Sequence, residues 1–240
     1  MIAISPVLTT TEEVIYPSAD GEPVAETYIH FYAISTTLET LKQYLTGKEA
    51  TVLANQFLYY AQGFPKIRVA PDVMVIFDVT PGGRDNYKIW EERSVPKVIF
   101  EMTSKSTKDE DKIFKKNLYE QLGVQEYWLF DPKGEWITEQ LIGYRLQDGI
   151  YQKITDNLSQ SLQLRLEIDA HIIAFYRLDN GEKLLIPDEL LAALKQETQL
   201  RKEAEERANL AENRANLAEA KLAEMEAILQ QYRAQFGEIN

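Results

Sequence analysis

The chain has 240 residues, 45% of them apolar and 27% charged, with a formal net charge of −12. That suffices for one sizeable domain and an appendage, and no stretch approaches the roughly 18 consecutive apolar residues of a membrane span. The acidity argues against a generic polyanion binder, and the absence of cysteine excludes disulfides and thiolate metal sites. The first residues, "MIAISPVLTTTEEV", lack a basic segment followed by a long apolar run, so a cytoplasmic protein without a secretory signal is expected. Charge is uneven: Arg84 to Lys116 holds nine Lys/Arg against seven Asp/Glu, leaving −14 for the remainder.

Residues 1–23 read as irregular, with Pro6, Pro17 and "SADGEP". A helix is expected from about Ala25 to Leu45, because Ile34, Leu38, Leu41 and Leu45 recur at spacings of four, three and four. "ATVLANQFLYYAQ" (50–62) reads as a strand leading into a connection. "PDVMVIFDV" (71–79) reads as a second strand, opened by Pro71, which lacks a ladder donor. "TPGGRDN" is a turn, and "KVIFEMTS" (97–104) a third strand. "STKDEDKIFKKNLYEQLGV" (106–124) is a helix with an N-cap at Ser106 or Thr107, acids in its first turn and a stop at Gly123. "QEYWLFDP" is a strand closed by Asp131-Pro132. Strand-like segments then continue to about Tyr176, and Asn180-Gly181 is a hairpin signal. The order predicts an α/β fold over 1–187, a mixed central sheet flanked by helices.

From Asp188 the composition turns to Ala, Glu, Leu, Arg, Lys and Gln without proline, and "RANLAEN" at 207 is followed directly by "RANLAEA" at 214. Ala204, Ala208, Ala211, Ala215, Ala218, Leu222, Met225, Leu229, Tyr232 and Phe236 alternate by four and three, the seam of a coiled coil. Residues 188–240 are therefore expected to form a coiled-coil helix joining a homodimer or higher homo-oligomer, with strand direction open. The plainer alternative is one solvated helix.

Glu101 stands out because it interrupts Val98, Ile99, Phe100 and Met102. An ionised carboxylate is costly to bury unless it is paired, protonated or on a metal. Strand alternation sets it on a face with Ile99 and Thr103, and pairing with the preceding strand would bring Asp72 into the same cleft. Two carboxylates a few ångströms apart call for a cation, and Mg²⁺ is bound by one or two carboxylates plus waters and substrate phosphates. Taken singly, Asp72 also reads as a turn or cap residue and Glu101 as half of a private salt bridge.

"PDVMVIF", "PKVIFEMTSKST" and "KKNLYEQLGVQEYWLFDP", in that order, resemble the Uma family of proposed restriction endonucleases, within the PD-(D/E)XK nuclease superfamily. "DGEPVAETYIH" and the heptad tail are similar to members of it. The resemblance implies a restriction-endonuclease-like core and Mg²⁺-dependent cleavage of DNA, with Mn²⁺ as a substitute. Asp72 matches the motif's Asp, Glu101 its acidic partner, and Glu26 an acid on the first helix that adds to the metal site. His30, four residues on, is a weaker candidate. The superfamily lysine belongs at 103, where this chain has Thr103, and in this family a lysine of the following helix is thought to replace it. With Phe114, Leu118 and Leu122 as the apolar stripe, Lys115 falls roughly 60° from its centre, Lys112 about 120° and Lys116 about 160°. Lys115 is thus the expected third catalytic residue. The rival reading is a catalytically inactive nuclease fold serving as a coiled-coil scaffold. The net charge and Thr103 favour that rival, and the retained Asp72/Glu101 pair favours the enzyme.

Overall fold

A computed structural model describes residues 14–21, 26–105 and 107–237. Ala25 and Ser106, a predicted helix start and a predicted cap, lie outside the described residues. The chain divides into two compact units, Met1–Pro187 and Asp188–Asn240.

In the first unit, α1 (Tyr28–Tyr44) begins after Thr27, whose hydroxyl accepts the His30 N–H. Its buried face carries Ala33, Ile34 and Leu41 together with Thr36, Thr37 and Thr40. Segment 50–62 is a strand leading into a connection, as expected, and the connection carries a second, short strand. β1 (Ala50–Leu53) ends where Asn55 takes a left-handed φ of 55° and the Gln56 side chain accepts the Ala54 N–H. β2 (Leu58–Tyr59) then joins a separate small sheet with β3 (Arg68–Val69) and β5 (Tyr87–Lys88). Between these lies β4 (Val73–Phe77), and a short α2 (Ile89–Glu92) leads to β6 (Val98–Met102).

A π-helical turn, Glu110–Lys115, runs directly into α3 (Lys116–Leu122), which ends at Gly123 with φ 82°. That left-handed cap suits glycine. β7 (Glu126–Phe130), β8 (Leu141–Gln147) and β9 (Ile150–Ile154) complete a six-stranded sheet of order β1-β4-β6-β7-β8-β9. All its pairs are antiparallel except β6 with β7, which flank the helical connection and run parallel. β10 (Leu158–Ser159), β11 (Leu164–Asp169) and β12 (Ile172–Arg177) form a third sheet. The Asn180-Gly181 signal does reverse the chain, but the returning arm is a single bridge, Tyr176 to Lys183.

β6 and β7 are buried along their whole length because a core covers each face of the sheet. On one face Phe100, Trp128 and Phe130 pack with Ile34 and Leu41 of α1 and with Leu164 and Phe175 of the third sheet. On the other, Met74, Ile99, Tyr127 and Leu129 pack with Tyr119 and Val124. Gly143, paired with Trp128 across β7 and β8, leaves room for the indole, and a side chain there would collide with it.

The second unit is one helix, α4 (Pro187–Phe236, 50 residues), with no buried residue. Among the described residues no helix is long and apolar enough to cross a membrane.

Candidate active site

The register of β4 on β6 sets Val73 opposite Phe100, so Asp72, just ahead of β4, lies across from Glu101. The Met102 N–H donates to Asp72 Oδ2 at 2.6 Å, and the Asp72 N–H reaches Glu101 Oε2 at 3.4 Å. Glu101 has no exposure at all, whereas Asp72 is partly exposed. The two predicted carboxylates are thus brought together, one enclosed and one at the surface of a cleft.

The helical connection supplies the rest. Asp111, Lys115 and Tyr119 are buried at successive spacings of four. Lys115 Nζ donates to Glu101 Oε2 at 2.9 Å and lies 2.9 Å from Asp111 Oδ1, while the Tyr119 hydroxyl donates to Glu101 Oε1 at 2.7 Å. Thr103, standing where the superfamily lysine belongs, is buried and reaches Asp111 Oδ2 at 3.5 Å.

The expected phase of this helix needs correction. Phe114 is 52% exposed, not part of the buried stripe, because the π turn accommodates an extra residue and rotates Lys115 onto the inner face in its place. The Asp111 carbonyl within that turn accepts the Tyr127 hydroxyl at 2.9 Å. Lys112 donates to the Trp136 carbonyl, and Lys116 lies over the Tyr144 ring rather than in open solvent. Thr107 stands just before the first helical residue, Lys108, and its carbonyl accepts the Asp111 N–H, while its hydroxyl accepts from the Ser104 N–H.

Burial pushes the Glu101 carboxyl up to about 8. The Lys115 ammonium and Tyr119 hydroxyl oppose that shift, and the neighbouring Asp72 and Asp111 carboxylates add to it. Asp72 is raised to about 7, first by burial; Lys115 and the Met102 N–H work against the shift and Asp111 and Glu26 with it. Burial disfavours the Lys115 ammonium, but the three carboxylates around it outweigh that and hold its pKa above the ordinary lysine value. One ammonium therefore serves three carboxyl groups. Asp111 Oδ1, though close to Lys115, receives no hydrogen bond.

Asp72 opens on a cleft of about 650 Å³ that Glu26, His30, Lys105, Lys133 and Trp136 also line. Glu26 precedes α1 rather than lying on it, yet it and His30 both reach the same cleft. On the other side of the cluster Lys115 lines a second pocket of about 420 Å³ with Lys66 and Arg68. Among the described residues no three His, Cys, Asp or Glu side chains are gathered into a metal cage. Asp72 at the cleft, with the enclosed Glu101 carboxyl across from it, fits a hard cation that keeps water in its remaining positions.

The reading from sequence missed Asp111 and Tyr119. Their signal was the i, i+4, i+8 spacing with Lys115, hidden because Ile113 and Phe114 look like the buried face and are instead more than half exposed.

A mixed sheet with an Asp and a Glu at the ends of adjacent antiparallel strands, and a lysine on the following helix, is the frame of a nuclease-type α/β domain. The chain belongs to the Uma2 family, described as "Putative restriction endonuclease", whose pattern matches residues 7–173. It is also similar to the crystal structure of a "putative nuclease belonging to DUF820" from Anabaena variabilis, at 16% identity and a TM-score of 0.41, over 60% of this chain and 81% of that one. No curated protein matches the chain.

Proposed function

We propose that this protein is a metal-dependent endonuclease that hydrolyses DNA phosphodiester bonds and dimerises through α4. The observation that carries the reading is the Asp72/Glu101 pair, its carboxyls crowded beside a single ammonium at the edge of an open cleft. Asp72 and Glu101 would hold Mg²⁺, or Mn²⁺ in its place, and Glu26 at the same cleft would add to the site. Bound there, the ion would supply a Lewis acid for the phosphate and lower the pKa of water. Lys115 fixes Glu101 in one orientation and offsets negative charge arriving with the phosphate. Tyr119, held protonated by its buried setting, anchors the other Glu101 oxygen. Lys105 and Lys133 give the acidic cleft two cations for the nucleic-acid backbone.

The second reading, an inactive nuclease-fold scaffold, draws on one observation: both Glu101 oxygens already have protein donors. Nicking of supercoiled plasmid with Mg²⁺ or Mn²⁺ separates the two. Cleavage by the wild type that Asp72→Asn and Glu101→Gln both abolish supports the enzyme. Cleavage at the wild-type rate by either variant refutes the two-carboxylate mechanism, and a wild type that never nicks supports the scaffold.

A further inference from the structure

The heptads of α4 carry a charge code as well as a seam. With Ala208, Ala215, Leu222 and Leu229 at position a, position g holds Arg207, Arg214 and Lys221, and position e holds Glu212, Glu219 and Glu226. Position g is basic and position e acidic without exception over three heptads. In a parallel coil, g of one helix faces e of the next heptad on its partner, so Arg207 would meet Glu212, Arg214 Glu219 and Lys221 Glu226, each twice by symmetry. In an antiparallel coil g faces g and e faces e, so no basic g residue meets an acidic e residue, and pairs within Arg207, Arg214 and Lys221 or within Glu212, Glu219 and Glu226 set like charges together. The following heptad leaves the code, with Ile228 at g and Arg233 at e.

The seam is uncovered in the single chain: Leu222, Met225, Leu229, Tyr232 and Phe236 are 55% to 69% exposed. Arg207 does reach Glu203 of its own helix at 3.4 Å, but an exposed i, i+4 pair is weak and readily exchanged. Leu210 and Leu217, one heptad apart, give no competing seam, because Glu206, Arg207, Asn213 and Arg214 occupy the alternating positions beside them.

From this complementarity we infer that α4 pairs with α4 of a second copy as a parallel, in-register two-stranded coil over residues 204–236. The inference rests on the dimer reading above and fixes its geometry. Parallel pairing attaches both copies of the first unit at the same end of the coil.

The chain has no cysteine, so single introduced thiols report cleanly. Air oxidation of the full-length Ala208→Cys and Tyr232→Cys variants should each give a cross-linked dimer of twice 27.6 kDa. Leu217→Cys, outside the seam, should stay largely unlinked. In a mixture of the first two, links between Cys at 208 and Cys at 232 should be absent; finding them as the main product shows an antiparallel coil and overturns the inference. So does a monomer mass by light scattering.

The charge code has its own test. Replacing Arg207, Arg214 and Lys221 by Glu should raise the dimer dissociation constant by about tenfold or more, and adding Glu212→Arg, Glu219→Arg and Glu226→Lys on the same chain should restore it. No change in either step contradicts parallel pairing. None of these readouts needs cleavage, so a dimer that never nicks DNA counts against the nuclease reading alone.

Discussion

Two groups of buried acids in the same domain are treated in opposite ways. Asp131 has no exposure and accepts the N–H groups of Lys133, Gly134, Trp136 and Ile137, while Glu126 accepts the Gln160 and Ser161 N–H groups and the Ser159 hydroxyl. Backbone N–H groups supply all four donors of Asp131 and two of those of Glu126, which adds the Arg145 guanidinium at 3.4 Å, and each acid ties a loop to one end of β7. Asp72, Glu101 and Asp111 have few such donors and instead crowd around one lysine. A buried charge met by backbone dipoles is finished structure. A buried charge met by other carboxylates asks for a proton or a metal ion, and that difference marks the candidate site.

Substitutions should break the two groups differently. The largest effect is expected from Glu101→Gln and Asp72→Asn. Plasmid nicking should fall by about 100-fold or more, the scale seen when a preorganised charge is removed from an active site. Thermal unfolding should show an unchanged or more stable fold, since one of two repelling carboxyls is gone. Lys115→Met keeps most of the stem but leaves the carboxylates without their cation. It should cut turnover far more than it weakens Mg²⁺ binding, and should cost the metal-free protein about 3 kcal/mol in urea unfolding. Lys112→Met, which removes an ammonium that donates to the Trp136 carbonyl, should leave turnover near wild type.

Asp131→Ala should do the reverse. Stripping four N–H groups of their acceptor should cost about 3 kcal/mol of stability, with nicking per folded molecule preserved. A loss of activity equal to that of Glu101→Gln would erase the distinction.

The last effect is a slope with pH. Asp72 and Glu101 have folded-state pKa values raised to about 7 and about 8, above those of the unfolded chain. The metal-free fold therefore binds more protons than the unfolded state, and the stability this contributes is full below about pH 4 and lost as pH rises through 7 and 8. Urea midpoints should fall across that window, more shallowly in Glu101→Gln. A rising midpoint would mean that the pair ionises normally.

Much of this was legible in the chain. The apolar run around Glu101 declared a strand covered on both faces, and a charge inside it was visible without any coordinates. Pro71 and the length of "VMVIF" fixed where Asp72 stood, so antiparallel pairing alone brought the two acids together. Local pattern failed where geometry departed from the regular helix. The π turn gave Lys115 the inner position that Phe114 seemed to claim, and it concealed Asp111 behind what read as a solvated acidic first turn. The two-residue β2 inside the connection of 50–62 was not legible, because a left-handed Asn55 and so short a strand leave little trace in hydrophobic periodicity. Tyr119 read as one more apolar residue, since nothing in its neighbours announces that its hydroxyl meets a carboxylate on β6.

The proposed reaction needs Asp72 and Glu101 to hold a divalent cation jointly. Crystals of the wild type soaked in Mn²⁺, with diffraction recorded near the manganese edge, test this most directly. One anomalous peak is expected between the Asp72 and Glu101 carboxylates, absent in Glu101→Gln crystals treated alike. No peak at saturating Mn²⁺, with Lys115 still seated on Glu101, would contradict it.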